Sequence, residues 1–431
     1  MSKTFCPIPW IFQAVRNNGD VRVCCQANVS KNRGIIRDKE GRPYNASEGR
    51  LTESRNAELV REMRLQMLEG EWPSECVRCQ QEEESGLNSR RQYELSNWNT
   101  DFNEMKKITS SDGSIPVDKA PVIYYDLRFG NKCNLSCRMC GPSDSDQWYN
   151  DYVQLTGRNY YHDSHGKVEL EKVKDSWKDT KNSYSWYTSP LFWEELEKNQ
   201  NNIQHIYMAG GEPLLIDQHY EFLEKCIEQN LGQNIVLEYN TNLTLLPQRV
   251  VKLWSQFKQV RVGASIDGFG DNFEFQRYPA RWDMVYKNLQ KLDQLERPVL
   301  SWLAYTVTAY NVMHLPEFMY WKVKESGFQK INSTKKRPVI THHMAHKPEH
   351  LNVRVLSSEQ KQKVTDHFMK FKSIFESEFD ELHSKKAIEI LNSVEKYMHS
   401  QSYYESHYDQ LISFSERMDQ IRNENSQNFL P

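Results

Sequence analysis

Cys133, Cys137 and Cys140 fall on one eight-residue stretch, directly after a strand-like run at 122–128. Three thiolates on one short loop can hold three irons of a [4Fe-4S] cube, and the fourth iron then stays open to a substrate-like molecule that can receive an electron. Ferredoxin sites complete their cluster with a fourth cysteine, and structural zinc wants a closed tetrahedron. No fourth ligand lies nearby. Zinc with a distant Cys or His is the competing reading. Unpaired core cysteines fit less well, because the loop is rich in Asn, Ser, Lys and Arg.

At 431 residues the chain exceeds the size at which one core usually stops growing, so two or more domains are expected. Hydrophobic residues at 38% suffice for a sizeable core. No stretch is long and apolar enough to span a bilayer and the N-terminus has no leader-like run, so a cytoplasmic protein without a membrane partner is expected. A formal charge of −3 gives no global reason to bind nucleic acid.

Of nine cysteines, all but Cys226 fall in the first 140 residues, and clustering of that kind reads as metal binding. Upstream of the triplet stand Cys6, the pair Cys24 and Cys25, and Cys76 with Cys79. An Asn-Gly turn at 17–20 predicts a hairpin that brings Cys6 beside Cys24 and Cys25. Apolar residues at helical spacing over 56–68 predict a helix that ends just before Cys76. Cys6, one of Cys24 or Cys25, Cys76 and Cys79 supply four thiolates, enough for a second cluster or a zinc site, and spacing does not decide between iron and zinc. A thioredoxin-like pair at Cys76 and Cys79 is the remaining alternative. Residues 80–118 read as a polar connection around at most one helix.

The middle of the chain alternates strand-like segments at 122–127, 203–209, 235–239, 259–266 and 302–308 with helical ones at 220–229, 246–256, 284–295 and 316–325, as a parallel α/β sheet requires. Functional groups are expected at strand C-termini. Gly210, Gly211, Glu212 and Pro213 end the second of these strands. A carboxylate there can accept a charged amino group, and glycines let the backbone approach a ligand; the alternative for Glu212 is a helix start. Asn242, Ser265, Asp267, Thr308 and Asn311, with Arg277, are further candidates, against ordinary turn chemistry.

The cysteine triplet and Gly-Gly-Glu-Pro together resemble the radical S-adenosylmethionine (SAM) superfamily over residues 119–340. The resemblance implies Cys133, Cys137 and Cys140 as ligands of a catalytic [4Fe-4S] cluster, with Met139 shielding it in place of an aromatic residue. Gly210, Gly211 and Glu212 would lie beside the SAM amino group, with Asn242, Ser265, Asp267 and Thr308 as other contacts. The implied fold is a partial (β/α)6 barrel. The leader looks like the auxiliary-cluster module of SPASM/twitch enzymes, which implies Cys6, Cys25, Cys76 and Cys79 as second-cluster ligands with Cys24 as alternate, docked at the same barrel mouth. The expected organisation is an auxiliary module at 1–100, the barrel at 119–340 and a mostly helical extension at 341–431.

That resemblance also implies the chemistry. One electron, from a donor such as flavodoxin or ferredoxin, cleaves SAM to methionine and a 5'-deoxyadenosyl radical, which takes a hydrogen atom from an inert C–H bond. A peptide or protein residue is the favoured substrate, ahead of dehydrogenation, epimerisation or rearrangement of a sugar, amino acid or nucleotide. A non-catalytic iron-sulfur or zinc scaffold would leave both motifs without purpose. The long segment after the triplet, with Trp148, Tyr149, Tyr152, Tyr160, Tyr161, Tyr184 and Trp186, suits an extended substrate or an insertion packed on the barrel. Cys226 reads as core packing rather than a hydrogen-atom donor. Asp419 and Arg422 read as a solvated pair on one helix face rather than an anchor.

Overall fold

Apolar runs followed by helices assemble into one eight-stranded sheet in a computed structural model that describes residues 3–27, 34–84, 88–163 and 166–431. Strand β1 (Phe12–Val15) pairs antiparallel with β2 (Val21–Arg22) and parallel with β3 (Tyr124–Phe129). Beyond β3 come β4 (His205–Gly210), β5 (Val236–Thr241), β6 (Gln259–Ser265), β7 (Val299–Val307) and β8 (Thr341–Met344), each parallel to its neighbour. Six parallel strands in chain order, β3 to β8, agree with the partial barrel that the sequence implies. Helices Asp217–Glu228, Gln248–Trp254 and Trp282–Gln294 occupy the crossovers.

Two strands of this sheet carry no alternation of their own, although the turn at 17–20 predicts the hairpin that holds the first. Phe12–Val15 is buried at every position, so it carries no alternation. Thr341–Met344 is a short edge strand with two histidines and little apolar signal. On β7, by contrast, the alternation is plain: Ser301, Leu303, Tyr305 and Val307 are buried, while Trp302, Ala304 and Thr306 are half-buried on the other face.

The leader shares the barrel's core. Buried residues from Phe5 to Leu411 form one continuous cluster, and the hairpin joins the sheet itself. Arg64, on the helix Glu58–Glu69, is fully buried and donates to the carbonyls of Pro9, Arg55 and Gly113 at 2.7–3.1 Å. Four carbonyl-directed bonds, including Nε to Pro9 at 3.0 Å, offset the burial of that charge and tie the leader to the Ser110–Ser114 turn.

The segment between β3 and β4 is a packed insertion. It holds the helix Trp148–Thr156 and two small hairpins, Tyr160–Asp163 with Gly166–Glu169 and Glu171–Val173 with Ser176–Lys178. Tyr149, Tyr161 and Tyr184 close a small core with Val168 and Leu170, and Trp148 and Trp186 are buried too. Most of its rings are therefore spent on packing rather than held open for a substrate.

The extension is helical, as expected. Ser357 and Gln360 form a capping box at the start of Ser358–Glu378, and Asp380 caps Glu381–His399. The last long helix is Tyr404–Arg422. Among the described residues no helix is long and apolar enough to cross a membrane.

Candidate functional site

The triplet loop leaves β3 at Phe129 and is pinned at several points. Ser136 N–H donates to the Tyr278 carbonyl at 2.8 Å and Arg138 N–H to the Gln276 carbonyl at 2.9 Å, joining the loop to the segment after β6. The Trp148 indole donates to the Cys137 carbonyl at 2.9 Å, and Cys133 N–H donates to Asp146 at 3.2 Å. All three cysteines are free thiols, with Cys137 buried and Cys133 and Cys140 half-buried. Met139 is partly buried against the core beside them.

The sulfurs meet one donor from the end of β5 and one from the end of the helix Gly270–Gln276 that follows β6. Asn242 Nδ2 lies 3.9 Å from Cys133 Sγ, and Arg277 Nη1 lies 4.0 Å from Cys137 Sγ. A hydrogen bond from Cys140 and then the Arg277 charge hold the Cys137 thiol below its ordinary range, whereas burial pushes Cys133 up to about 12. An iron-sulfur cluster is held by thiolates, and N–H donors near their sulfurs tune its potential. Among the described residues no three His, Cys, Asp or Glu side chains converge on a single metal ion.

Gly210 and Gly211 serve the loop rather than open space. Gly210 has φ 123°, and a Cβ on it would lie 2.7 Å from the Phe129 nitrogen; one on Gly211 would run into the Lys132 carbonyl. Their chain then bonds to the triplet loop, Gly211 N–H to the Gly130 carbonyl at 3.1 Å and Glu212 N–H to the Lys132 carbonyl at 2.9 Å. The close approach read from these glycines is thus backbone against backbone.

Glu212 is fully buried and its oxygens are occupied. They accept from Leu214 N–H at 3.1 Å, Thr241 Oγ1 at 2.7 Å and Asn242 N–H at 2.7 Å. Burial pushes its carboxyl up to about 7 against these three donors. The helix-start role weighed against ligand binding is what the geometry gives, and the bonds to β5 extend it. Glu212→Gln therefore sets an amide NH2 against a backbone N–H and is expected to cost about 1–3 kcal/mol of stability. Urea unfolding of protein freed of iron measures this, and an unchanged midpoint contradicts it.

Asp267 and Thr308 lie inside the protein, which corrects their reading as SAM contacts. Asp267 is fully buried, 2.6 Å from Arg277 Nη2, and accepts from Thr306 N–H at 2.6 Å. Thr308 and Asn311 are fully buried and bonded to each other, with Asn311 also donating to the Asp267 carbonyl at 3.2 Å. Asp267 instead holds Arg277 against Cys137. Asn242 and Ser265 stay at the ends of β5 and β6; Asn242 also donates to Asn134 at 3.0 Å, and Ser265 is half-buried. Cys226 is completely buried in the core, as expected.

Residues 127–319 match the family model described as the radical SAM superfamily. That stretch, and not the whole chain, matches the superfamily. Solved structures with a similar course include Streptococcus suis SuiB bound to S-adenosylmethionine, at 10% identity and TM-score 0.35 over 74% of this chain and 62% of that one. SuiB bound to precursor peptide SuiA gives 12% identity and TM-score 0.33 over 85% and 70%, and TYW1 with a lysine-pyruvate adduct 12% and 0.30 over 66% and 87%. This chain thus spans less than two thirds of the SAM-bound SuiB chain. No curated protein matches it.

The leader cysteines lie at the other end of the sheet. Cys6 precedes β1, whose Phe12 pairs with Tyr124 at the start of β3, and Cys24 follows the antiparallel β2. Arg90 donates to Tyr124 at 3.0 Å and Arg91 to the Phe5 carbonyl at 3.0 Å, which sets the Cys79 segment there as well. Along β3 this lies on the order of 17 Å from the triplet loop, at about 3.3 Å per residue. Docking at the same mouth is therefore corrected: β1 runs parallel to β3, so a group placed before it must sit at the strand N-termini.

The triplet loop carries a second tether that pattern reading missed. Arg138 is fully buried, pairs with Asp419 at 2.9 Å and Glu424 at 2.6 Å, and lies 3.9 Å from the Phe275 ring centroid. Arg422 pairs with Asp151 at 2.7 Å and donates to the Ser136 carbonyl at 2.6 Å. Asp419 and Arg422 are thus anchors that hold the last helix onto the loop, not a solvated pair. An arginine between two cysteines was the visible signal, but its acidic partners are more than 280 residues away.

Proposed function

We propose that this chain is a radical SAM enzyme that binds one [4Fe-4S] cluster through Cys133, Cys137 and Cys140 and a second through the leader cysteines. The observation that carries the first site is three free thiols on a loop fixed from four sides, with Arg277 and Asn242 directed at two of the sulfurs. Arg22 supports the second. It is 7% exposed, its Nη2 pairs with Asp126 at 3.7 Å, and its Nε has no hydrogen-bond partner. Buried donors without acceptors are costly, and an anionic cluster would supply acceptors.

When bound, such a cluster and SAM supply a 5'-deoxyadenosyl radical able to break an unactivated C–H bond. The protein's part is to hold and shield. Asp267 orients Arg277 toward Cys137, Asn242 reaches Cys133, and Trp148 and Met139 cover the loop's apolar side. Between the two cysteine groups the sheet presents Arg128, Tyr207, Glu238, Arg261 and Trp302, all half-buried. A face of mixed charge and rings running the length of the strands suits an extended substrate, and a peptide or protein residue is the reading we favour. The electron donor is a reduced flavodoxin or ferredoxin.

Iron and sulfide quantification after anaerobic reconstitution tests the two-cluster reading. About eight irons per chain are expected. About four irons with stoichiometric zinc would move the leader site to zinc.

A further inference from the structure

Lys322 is a cation on a buried helix face. It stands four positions after Phe318 and four before Ser326, both buried, so helical spacing turns all three toward the core, where an apolar side chain is expected. The chain here forms a π-helical turn, Trp321–Glu325, closed by Ser326 N–H on the Trp321 carbonyl at 2.8 Å, and single turns of this kind recur at functional sites. Lys322 is 7% exposed, and among the described residues its ammonium has no hydrogen-bond or ion-pair partner. A desolvated charge without a partner is costly, and a methionine of similar length would fill the position at less cost. A lysine that only covered apolar surface would keep its ammonium in water.

Lys322 lines an open cleft of about 450 Å³ between its own turn, the loop 328–338 that leads into β8, and the turn joining the helices Ser358–Glu378 and Glu381–His399. Its Nζ is not sealed from solvent, so the ammonium ends in this cleft.

The rest of the cleft is furnished for an anion. Lys324, held 5.9 Å over the Phe379 ring, and Lys335 have no acidic partner among the described residues, and the exposed Ser333 and Thr334 carry hydroxyls free to donate. The acids nearby are engaged elsewhere. Asp293 accepts from the N–H groups of Gln329, Lys330 and Ile331 at 2.8–2.9 Å, Asp380 caps its helix and pairs with His383 at 2.6 Å, and Glu378 accepts from Tyr320 at 2.5 Å. No arginine lines the cleft. Compact ammonium groups with hydroxyls suit the several charges of a phosphate, whereas a lone carboxylate favours the planar fork of arginine.

We propose that this cleft binds a phosphate group, free or at the end of a small phosphorylated molecule, with Lys322 as its buried anchor and Lys324, Lys335, Ser333 and Thr334 around it. The site shares no residue with either cysteine group, so it stands or falls apart from the cluster readings.

Equilibrium dialysis of the reconstituted full chain against radiolabelled inorganic phosphate at low salt tests it. Saturable binding of one phosphate per chain is expected, weakened about tenfold or more in Lys322→Met and unchanged in Lys363→Met, which removes an exposed lysine paired with Glu359. In phosphate-free buffer Lys322→Met should melt no lower than wild type, and phosphate should raise the melting point of wild type alone. Should Lys322→Met not fold, the double variant Ser333→Ala with Thr334→Ala, at exposed positions, should still weaken binding several-fold. Glycerol phosphate that displaces the label more tightly than inorganic phosphate assigns a phosphorylated ligand, and the reverse order assigns free phosphate. No saturable binding by wild type, or equal binding by wild type and the cleft variants, overturns the site.

Discussion

Replacing Cys137 with alanine is expected to abolish reductive cleavage of SAM. Release of 5'-deoxyadenosine under dithionite should drop to the level without enzyme, because a two-thiolate loop cannot hold the cube and no other group among the described residues offers a substitute. Cys76→Ala should behave differently. The leader cysteines lie at the opposite end of the strands, so this variant should keep the triplet's cluster and measurable cleavage while losing about half the iron. Chromatography of 5'-deoxyadenosine from both variants gives the answer, and a fully active Cys137→Ala would remove the proposed chemistry.

Arg138→Ala is expected to be the most damaging change outside the cysteines. It empties a fully buried site between Phe275 and Tyr310 and leaves Asp419 and Glu424 facing each other without their cation. Removing one partner of a buried pair costs about 3–5 kcal/mol. The urea midpoint should fall accordingly, and iron retention should fall with it, since the same arginine sits between Cys137 and Cys140. A double-mutant cycle with Asp419→Ala isolates the pair: the second substitution should cost much less once Arg138 is gone. Additive losses would show that the last helix does not act through this arginine.

The helix latch shows where sequence reading stops. Recurring apolar turns such as that at 411–414 predict a helical tail, and i, i+3 spacing puts Asp419 and Arg422 on one face. Spacing says nothing about what that face meets. An exposed pair would bond within the helix; here each residue turns instead to the triplet loop or the insertion helix, because burial makes an external partner worth more than a solvated neighbour.

Glu212 teaches the same lesson inside the motif. Gly-Gly-Glu-Pro marks a strand end by composition, and the strand does end there. Whether the carboxylate faces a ligand or its own backbone depends on how β5 lies beside β4, and register is a tertiary property.

What the sequence determined by itself was the alternation of strands and helices, the triplet at a strand C-terminus and the separate store of leader thiols. Each is written along the chain itself, in apolar periodicity, in the short spacing of the triplet and in the crowding of cysteines before Val122. Only the tertiary structure decided that the leader hairpin continues the barrel sheet, that its cysteines therefore sit at the strand N-termini, and that Arg277, Asn242 and Arg422 converge on the triplet loop. Those contacts join segments 109 to 286 residues apart. Side chains that distant meet only because parallel crossovers return every strand to the same end of the sheet, and no local pattern encodes which of them will arrive together.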